Sequence, residues 1–451
     1  MIRHALAIAA LLAPVPALAQ SQQDALDARY DRALAAGYKA LFLCSAIANA
    51  ERAGTTRTPE SVIQWELTDI QEPLNAIIGE LPYEIARAGE GEARVRHVSV
   101  TWAEDVPPRY AVHRSGKGCS LLPIGGEPVS GQAAKRQVSH TSAPVVRAAD
   151  ADLAAVLERG FSPSYGEGAR TTAVLVRRGD RTLGERYVEG FDPDTPQRTW
   201  SVAKSIAATI VGAAAQRGDT DVQASAGLGL SDSDPRRAIT IDHLLRMASG
   251  RYSDTPGNRT DPIYFGGATV DERAAVWPLI HAPGTVYRYA NNDTLMAVKA
   301  IEDTFAQHPP AELLATLGMH DTVAETDWQG NYILSSQVWS TARDLANLGQ
   351  LYLDDGIWNG ERILPANWVD YVSSPSGPQP DGDFGYGAGF WLFNKSDGVP
   401  PDTFAAMGNR GQYVVIVPSR DTVIVRRGED PPGSGFDIAA FTRDVLAALD
   451  N

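Results

Sequence analysis

The segment that most constrains this chain is Ser201–Ala215, SVAKSIAATIVGAAA, in which nearly every residue is small or apolar. Lys204 is the only charged residue between Arg198 and Arg217. A helix that is apolar on every side belongs inside a protein. A lone ammonium on such a helix is costly unless it has a partner or a chemical task. The segment therefore requires a large surrounding core, and a chain of 451 residues, 43% of them hydrophobic, is long enough to build one.

Ser201 and Lys204 are three residues apart, so on a helix they share one face about one turn apart. A serine hydroxyl becomes nucleophilic when a base takes its proton, and a desolvated lysine has a pKa low enough to be that base. The helix N-terminus also favours negative charge developing on the oxygen. The competing reading is a helix-capping serine followed by a solvent-facing lysine.

Two further segments carry chemistry. In Pro283–Asn292, PGTVYRYANN, Tyr289 offers a phenol for proton shuttling if a nearby ammonium depresses its pKa, and Asn291 offers an amide to Lys204 or to a substrate. Gly408-Asn409-Arg410-Gly411-Gln412 precedes the strand-like Tyr413–Val417. Glycines at a strand start let a ligand approach backbone amides. Ordinary loop composition and a tight turn are the plain alternatives for these two segments.

The charge balance, 40 basic against 55 acidic residues, excludes a nucleic-acid partner, since no basic run is present. The eight histidines show no metal-ligand spacing, and no glycine-rich phosphate loop occurs, so no metal or other cofactor is expected. Arg3 and His4, the apolar run Ala5–Ala13 and the site Ala17-Leu18-Ala19 read as a signal peptide, residues 1–19, cut after Ala19. A periplasmic or secreted protein with no membrane span is expected, the apolar run being too short to cross a bilayer. In an oxidising compartment Cys44 and Cys119 are expected to pair, closing a long loop for about 4 kcal/mol of stability.

Residues 20–125 read as an α+β unit. A helical pattern runs from Asp24 to Arg52 and a second from Glu60 to Gly79, before strand-like segments at Arg94–Trp102, Arg109–His113 and Cys119–Leu122. Residues 126–150 have linker composition. Residues 151–451 form the second unit. Its hairpin, Thr172–Arg177 with Thr182–Val188, and its terminal strands, Tyr413–Val417 and Thr422–Arg426, predict one antiparallel sheet whose edge both ends of the unit complete. A final helix runs from Asp437 to Leu449. Trp391, near Tyr386, is a candidate pocket wall.

Taken in order, Ser201-Val202-Ala203-Lys204, Tyr289-Ala290-Asn291 and the glycine-rich entry to a C-terminal strand resemble the serine β-lactamase-like superfamily. Its class C branch, which includes esterases and 6-aminohexanoate-dimer hydrolases, is the nearest likeness. Ile241–Gly250, Ser340–Leu345 and Gly356–Gly360 support it, and it covers about residues 165–450.

The resemblance implies an α+β fold, an antiparallel sheet flanked by helices with an all-helical subdomain, to which residues 20–125 add a small α+β domain. It implies an acyl-enzyme on Ser201, acid–base work shared by Lys204 and Tyr289, and orientation of Lys204 or substrate by Asn291. It places an oxyanion hole at the amides of Ser201 and Gln412. The third motif departs from the family's K-T-G or H-x-G, reading Asn409-Arg410-Gly411, with Arg410 the candidate to replace the missing positive charge. The expected activity is hydrolysis of a small ester or amide rather than of a β-lactam. The alternative is a ligand-capture or sensing protein, similar to penicillin-binding proteins, that does not turn over.

Overall fold

Alternation of apolar side chains along two C-terminal strands organises the molecule. In the computed structural model, which describes residues 15–88, 94–128, 143–253, 255 and 259–450, Val414, Ile416, Val423 and Val425 enter one core, while Val415, Val417 and Ile424 enter another on the opposite face. A sheet covered on both faces follows directly from that period of two.

The chain begins with helices α1 (Val15–Ala53), α2 (Pro59–Trp65) and α3 (Leu74–Ile78), then strands β1 (Tyr83–Ala88), β2 (Arg94–Val100), β3 (Arg109–Arg114) and β4 (Gly118–Leu121). The strands form an antiparallel meander in the order β1-β2-β3-β4. Helix α4 (Ala151–Arg159), strands β5 (Thr171–Arg178), β6 (Arg181–Tyr187) and β7 (Gln197–Arg198) and helix α5 (Val202–Arg217) follow. Five helices come next: α6 (Ile241–Leu245), α7 (Asp261–Tyr264), α8 (Val270–Arg273), α9 (Asn291–Lys299) and α10 (Pro310–Thr316). They precede β8 (Val323–Ala324), β9 (Val338–Ser340), α11 (Ala342–Leu353), β10 (Ile357–Trp358), β11 (Glu361–Arg362) and α12 (Trp368–Ser373). The chain closes through β12 (Gly385–Tyr386), β13 (Trp391–Leu392), β14 (Phe404–Gly408), β15 (Gln412–Val417), β16 (Thr422–Gly428) and α13 (Ile438–Ala448).

The main sheet has the order β12-β13-β14-β15-β16-β5-β6, and every pairing in it is antiparallel. The fold is the α+β class expected, with one correction. The first and last strands of this unit meet at β16–β5 inside the sheet rather than at its edge. Leu153, Val156, Phe441 and Val445 from α4 and α13 cover one face, and α5 and α11 cover the other. Buried from Val202 to Ala214, α5 ends where Gly218 takes a left-handed conformation at φ +81°.

Helix α1 packs against elements from both ends of the chain. Its side chains from Ala33 to Ala48 share one apolar core with α5, α9 and β9. Phe42 lies 6.0 Å from Trp339, and Tyr38 lies 4.6 Å from Phe265, ring centre to ring centre. Cys44 on α1 and Cys119 on β4 form a buried disulfide. Gln20–Ala53 is long and apolar enough to cross a membrane, yet its apolar window is wholly buried, as in a core helix. Of the expected leader, residues 1–14 lie outside the described residues, as do residues 129–142 of the expected linker. The second helical pattern, Glu60–Gly79, is broken: Asp69 sits at φ +52° and Pro73 interrupts the run, so residues 66–73 form a loop between α2 and α3.

Candidate active site

Trp200 ends the approach to α5 in a left-handed conformation, φ +48°, which a bulky residue adopts only when its surroundings enforce it. Its indole is held by the Arg198 guanidinium, 4.1 Å from the ring centre, and by Phe42 of α1 at 5.9 Å. The turn places Ser201 at the mouth of α5, where its side chain makes no capping hydrogen bond. Lys204 is only 1% exposed. Neither residue therefore fits the capping-serine, solvent-lysine alternative.

The Lys204 Nζ lies 3.0 Å from Ser201 Oγ, 2.6 Å from Asn291 Oδ1 and 2.8 Å from the Ser335 carbonyl oxygen. Burial pushes the lysine well below its ordinary pKa, and no carboxylate offsets the effect. Asn291 opens α9, and its Nδ2 donates to Thr260 Oγ1 at 2.9 Å, which fixes the amide so that its oxygen faces Lys204. Tyr289, two residues earlier, lines the same cavity as Ser201, and its ring centre lies 5.0 Å from Lys204 Nζ. Burial raises the phenol's pKa, so the tyrosine rests protonated. The condition of a phenol depressed by a neighbouring ammonium is not met, because the same burial disfavours the ammonium itself.

Ser201, Tyr289 and Asn291 line a cavity of about 500 Å³. Trp391 walls it, as expected, packed 5.4 Å from Tyr289 and 5.0 Å from Tyr386. Its polar lining includes Gln71, Asp261 and Asn409. Desolvation pushes the Asp261 carboxyl up to about 6.

The third motif is only partly at the site. Gly408, at the end of β14, abuts the nucleophile: a Cβ there would overlap the Thr199 carbonyl oxygen and crowd the Ser201 nitrogen. Asn409 lines the cavity beside it. Arg410 does not. At φ +57° it turns its guanidinium away, donating to Glu429 Oε2 at 2.6 Å and to the carbonyls of Asp69 and Trp65 at 2.7 and 2.8 Å. Gly411 packs on Arg426 and Asp430, where a Cβ would collide with both. Gln412 is buried, its Oε1 accepting from Arg427 Nε at 2.5 Å. The physical reason is the three-residue turn 409–411: the strand against Ser201 is β14, and the motif as read continues into β15 behind it.

Sequence reasoning missed Asp261, Ser335, Thr260 and Gln71. Ser335 acts through a backbone carbonyl, which any residue supplies, and Gln71 sits in a stretch that reads as helix. Asp261 had one available signal, Thr260-Asp261-Pro262 at a helix start.

The fold that carries this cavity is one that known chains share. The Beta-lactamase family model matches residues 157–448, so this chain belongs to that family. It is 25% identical over 389 residues to the 6-aminohexanoate-dimer hydrolase of Paenarthrobacter ureafaciens, covering 78% of this chain and 92% of that protein. Among solved structures, a putative β-lactamase from Bacteroides dorei aligns with a TM-score of 0.55 at 19% identity, over 67% of this chain and 99% of that one. A putative 6-aminohexanoate-dimer hydrolase from Bacillus anthracis aligns with a TM-score of 0.52 at 21% identity, over 62% of this chain and 79% of that one. The chain is a hydrolase of the β-lactamase fold.

Proposed function

We propose that the protein is an exported serine hydrolase that opens an ester or linear amide through an acyl-enzyme on Ser201. The observation that carries this is the threefold setting of Lys204 Nζ. A neutral amine has two hydrogens and one lone pair. Donating the hydrogens to Asn291 Oδ1 and the Ser335 carbonyl leaves the lone pair for the Ser201 proton, 3.0 Å away.

Ser201 Oγ attacks the carbonyl carbon as its proton passes to Lys204. The oxyanion forms against the Ser201 amide and the backbone at the Gly408–Asn409 corner. Tyr289, protonated and within reach of Ser201, relays the proton to the departing alkoxide or amine as the carbonyl re-forms. Water then attacks the acyl carbon, giving its proton to the same pair, and the acid leaves with Ser201 restored.

Among the described residues no arginine lines the cavity and Asp261 does, an environment unsuited to a carboxylate beside the scissile bond. That disfavours β-lactams and favours neutral or cationic substrates. Similarity to a 6-aminohexanoate-dimer hydrolase supports the amide reading. The buried disulfide is compatible with export.

A fluorophosphonate should add one adduct mass to the wild type and none to Ser201→Ala, with repeated turnover of p-nitrophenyl acetate. No adduct, or an adduct on Ser201→Ala, contradicts the reading. A single burst without steady state would instead favour ligand capture.

A further inference from the structure

The cavity at Ser201 is not built by the family's domain alone. Gln71, in the loop between α2 and α3, lines it from a part of the chain well before residue 157, where the family match begins. Its backbone carbonyl accepts from Asn75 N at 3.2 Å, while its half-buried carboxamide has no hydrogen-bond partner among the described residues.

The loop is fastened at the residue next to Asn409. Arg410 donates to the carbonyls of Trp65, Thr68 and Asp69 at 2.8, 3.1 and 2.7 Å. Arg170 adds a second tie, to Gln64 O at 2.7 Å. The guanidinium that occupies the third motif thus docks this loop at the corner of the cavity.

Resting on the serine-hydrolase reading, we propose that Gln71 is a specificity residue, hydrogen-bonding an amide of the substrate beyond the scissile bond, and that Arg410 is the positioning residue that holds it there. A carboxamide both donates and accepts, so it pairs with the N–H and C=O of a second amide, which a hydrocarbon chain cannot match.

The test compares p-nitrophenyl N-acetyl-β-alaninate with p-nitrophenyl hexanoate, esters of equal chain length. The wild type should prefer the first, and Gln71→Ala should cut the ratio of kcat/KM values about fivefold, through KM. The double variant Arg410→Gln/Glu429→Gln, which leaves no charge unpaired, should lower the ratio similarly while melting as a folded protein. An unchanged ratio in Gln71→Ala overturns the specificity role, and an unchanged ratio in the double variant overturns the positioning role. Fluorophosphonate labelling of wild-type Ser201 reports separately on the parent reading; a protein that neither labels nor turns over overturns both.

Discussion

Two buried charge sites in this molecule are built on opposite plans. Around the loop that reaches the cavity, Arg57 grips Glu66 through two bonds of 2.9 and 2.7 Å, and Arg410 meets Glu429 at 2.6 Å, so each of these two cations has a carboxylate. Behind Ser201, which lines the cavity, Lys204 has neutral oxygens around it and no carboxylate. Pairing keeps a buried group ionised and inert, and withholding the partner makes the neutral amine accessible. One arrangement fastens the α2–α3 loop to the strands beside the cavity; the other leaves an amine free to act as the proposed base.

The comparison breaks most sharply at Lys204. Lys204→Met should lower kcat/KM for p-nitrophenyl acetate about 10³-fold or more, with about 1 kcal/mol lost from unfolding stability in urea. Arg57→Met should do the reverse. It strands Glu66 and should cost about 3–5 kcal/mol of stability, with activity of the folded protein within tenfold of wild type.

Glu325 sharpens the contrast. It is buried and accepts from the Cys119 amide at 2.8 Å and Trp339 Nε1 at 3.1 Å, with no ion pair among the described residues, and burial pushes it up to about 7. Between its ordinary pKa and about 7 the native state holds a proton that the unfolded chain has released, so stability falls as pH rises. Melts from pH 5 to 8 should lose about 3 kcal/mol through this group, and Glu325→Gln should remove that share of the slope, leaving the part due to Asp344 and Glu429, which burial also pushes up to about 7. The smallest effect is at Asp261. Preference for acetylthiocholine over a neutral thioester of equal length should grow a few-fold from pH 5 to 7, as the carboxylate forms. Asp261→Asn should abolish that growth.

Much of this was legible in the sequence where the signal was local. The hairpin β5–β6 and the pair β15–β16 follow from alternation, and α5 follows from a run with one charge. Ser201, Lys204, Tyr289 and Asn291 sit at helix starts, where spacing fixes direction. Arg410 misled because two of the carbonyls it binds lie 341 and 345 positions away, and sequence reveals a charge without revealing where it turns. The loop at 66–73 was hidden because its apolar spacing mimics a helix, while the break depends on Asp69 in a left-handed conformation.

The proposed catalysis turns on the ionisation of one amine. With six lysines in the chain, NMR of ε-¹⁵N-lysine-labelled protein, assigned through Lys204→Met, reads it directly. The amine of Lys204 should titrate clearly below the exposed lysines and be neutral while they remain charged. Titration together with them, near the ordinary value of about 10.4, would contradict the account.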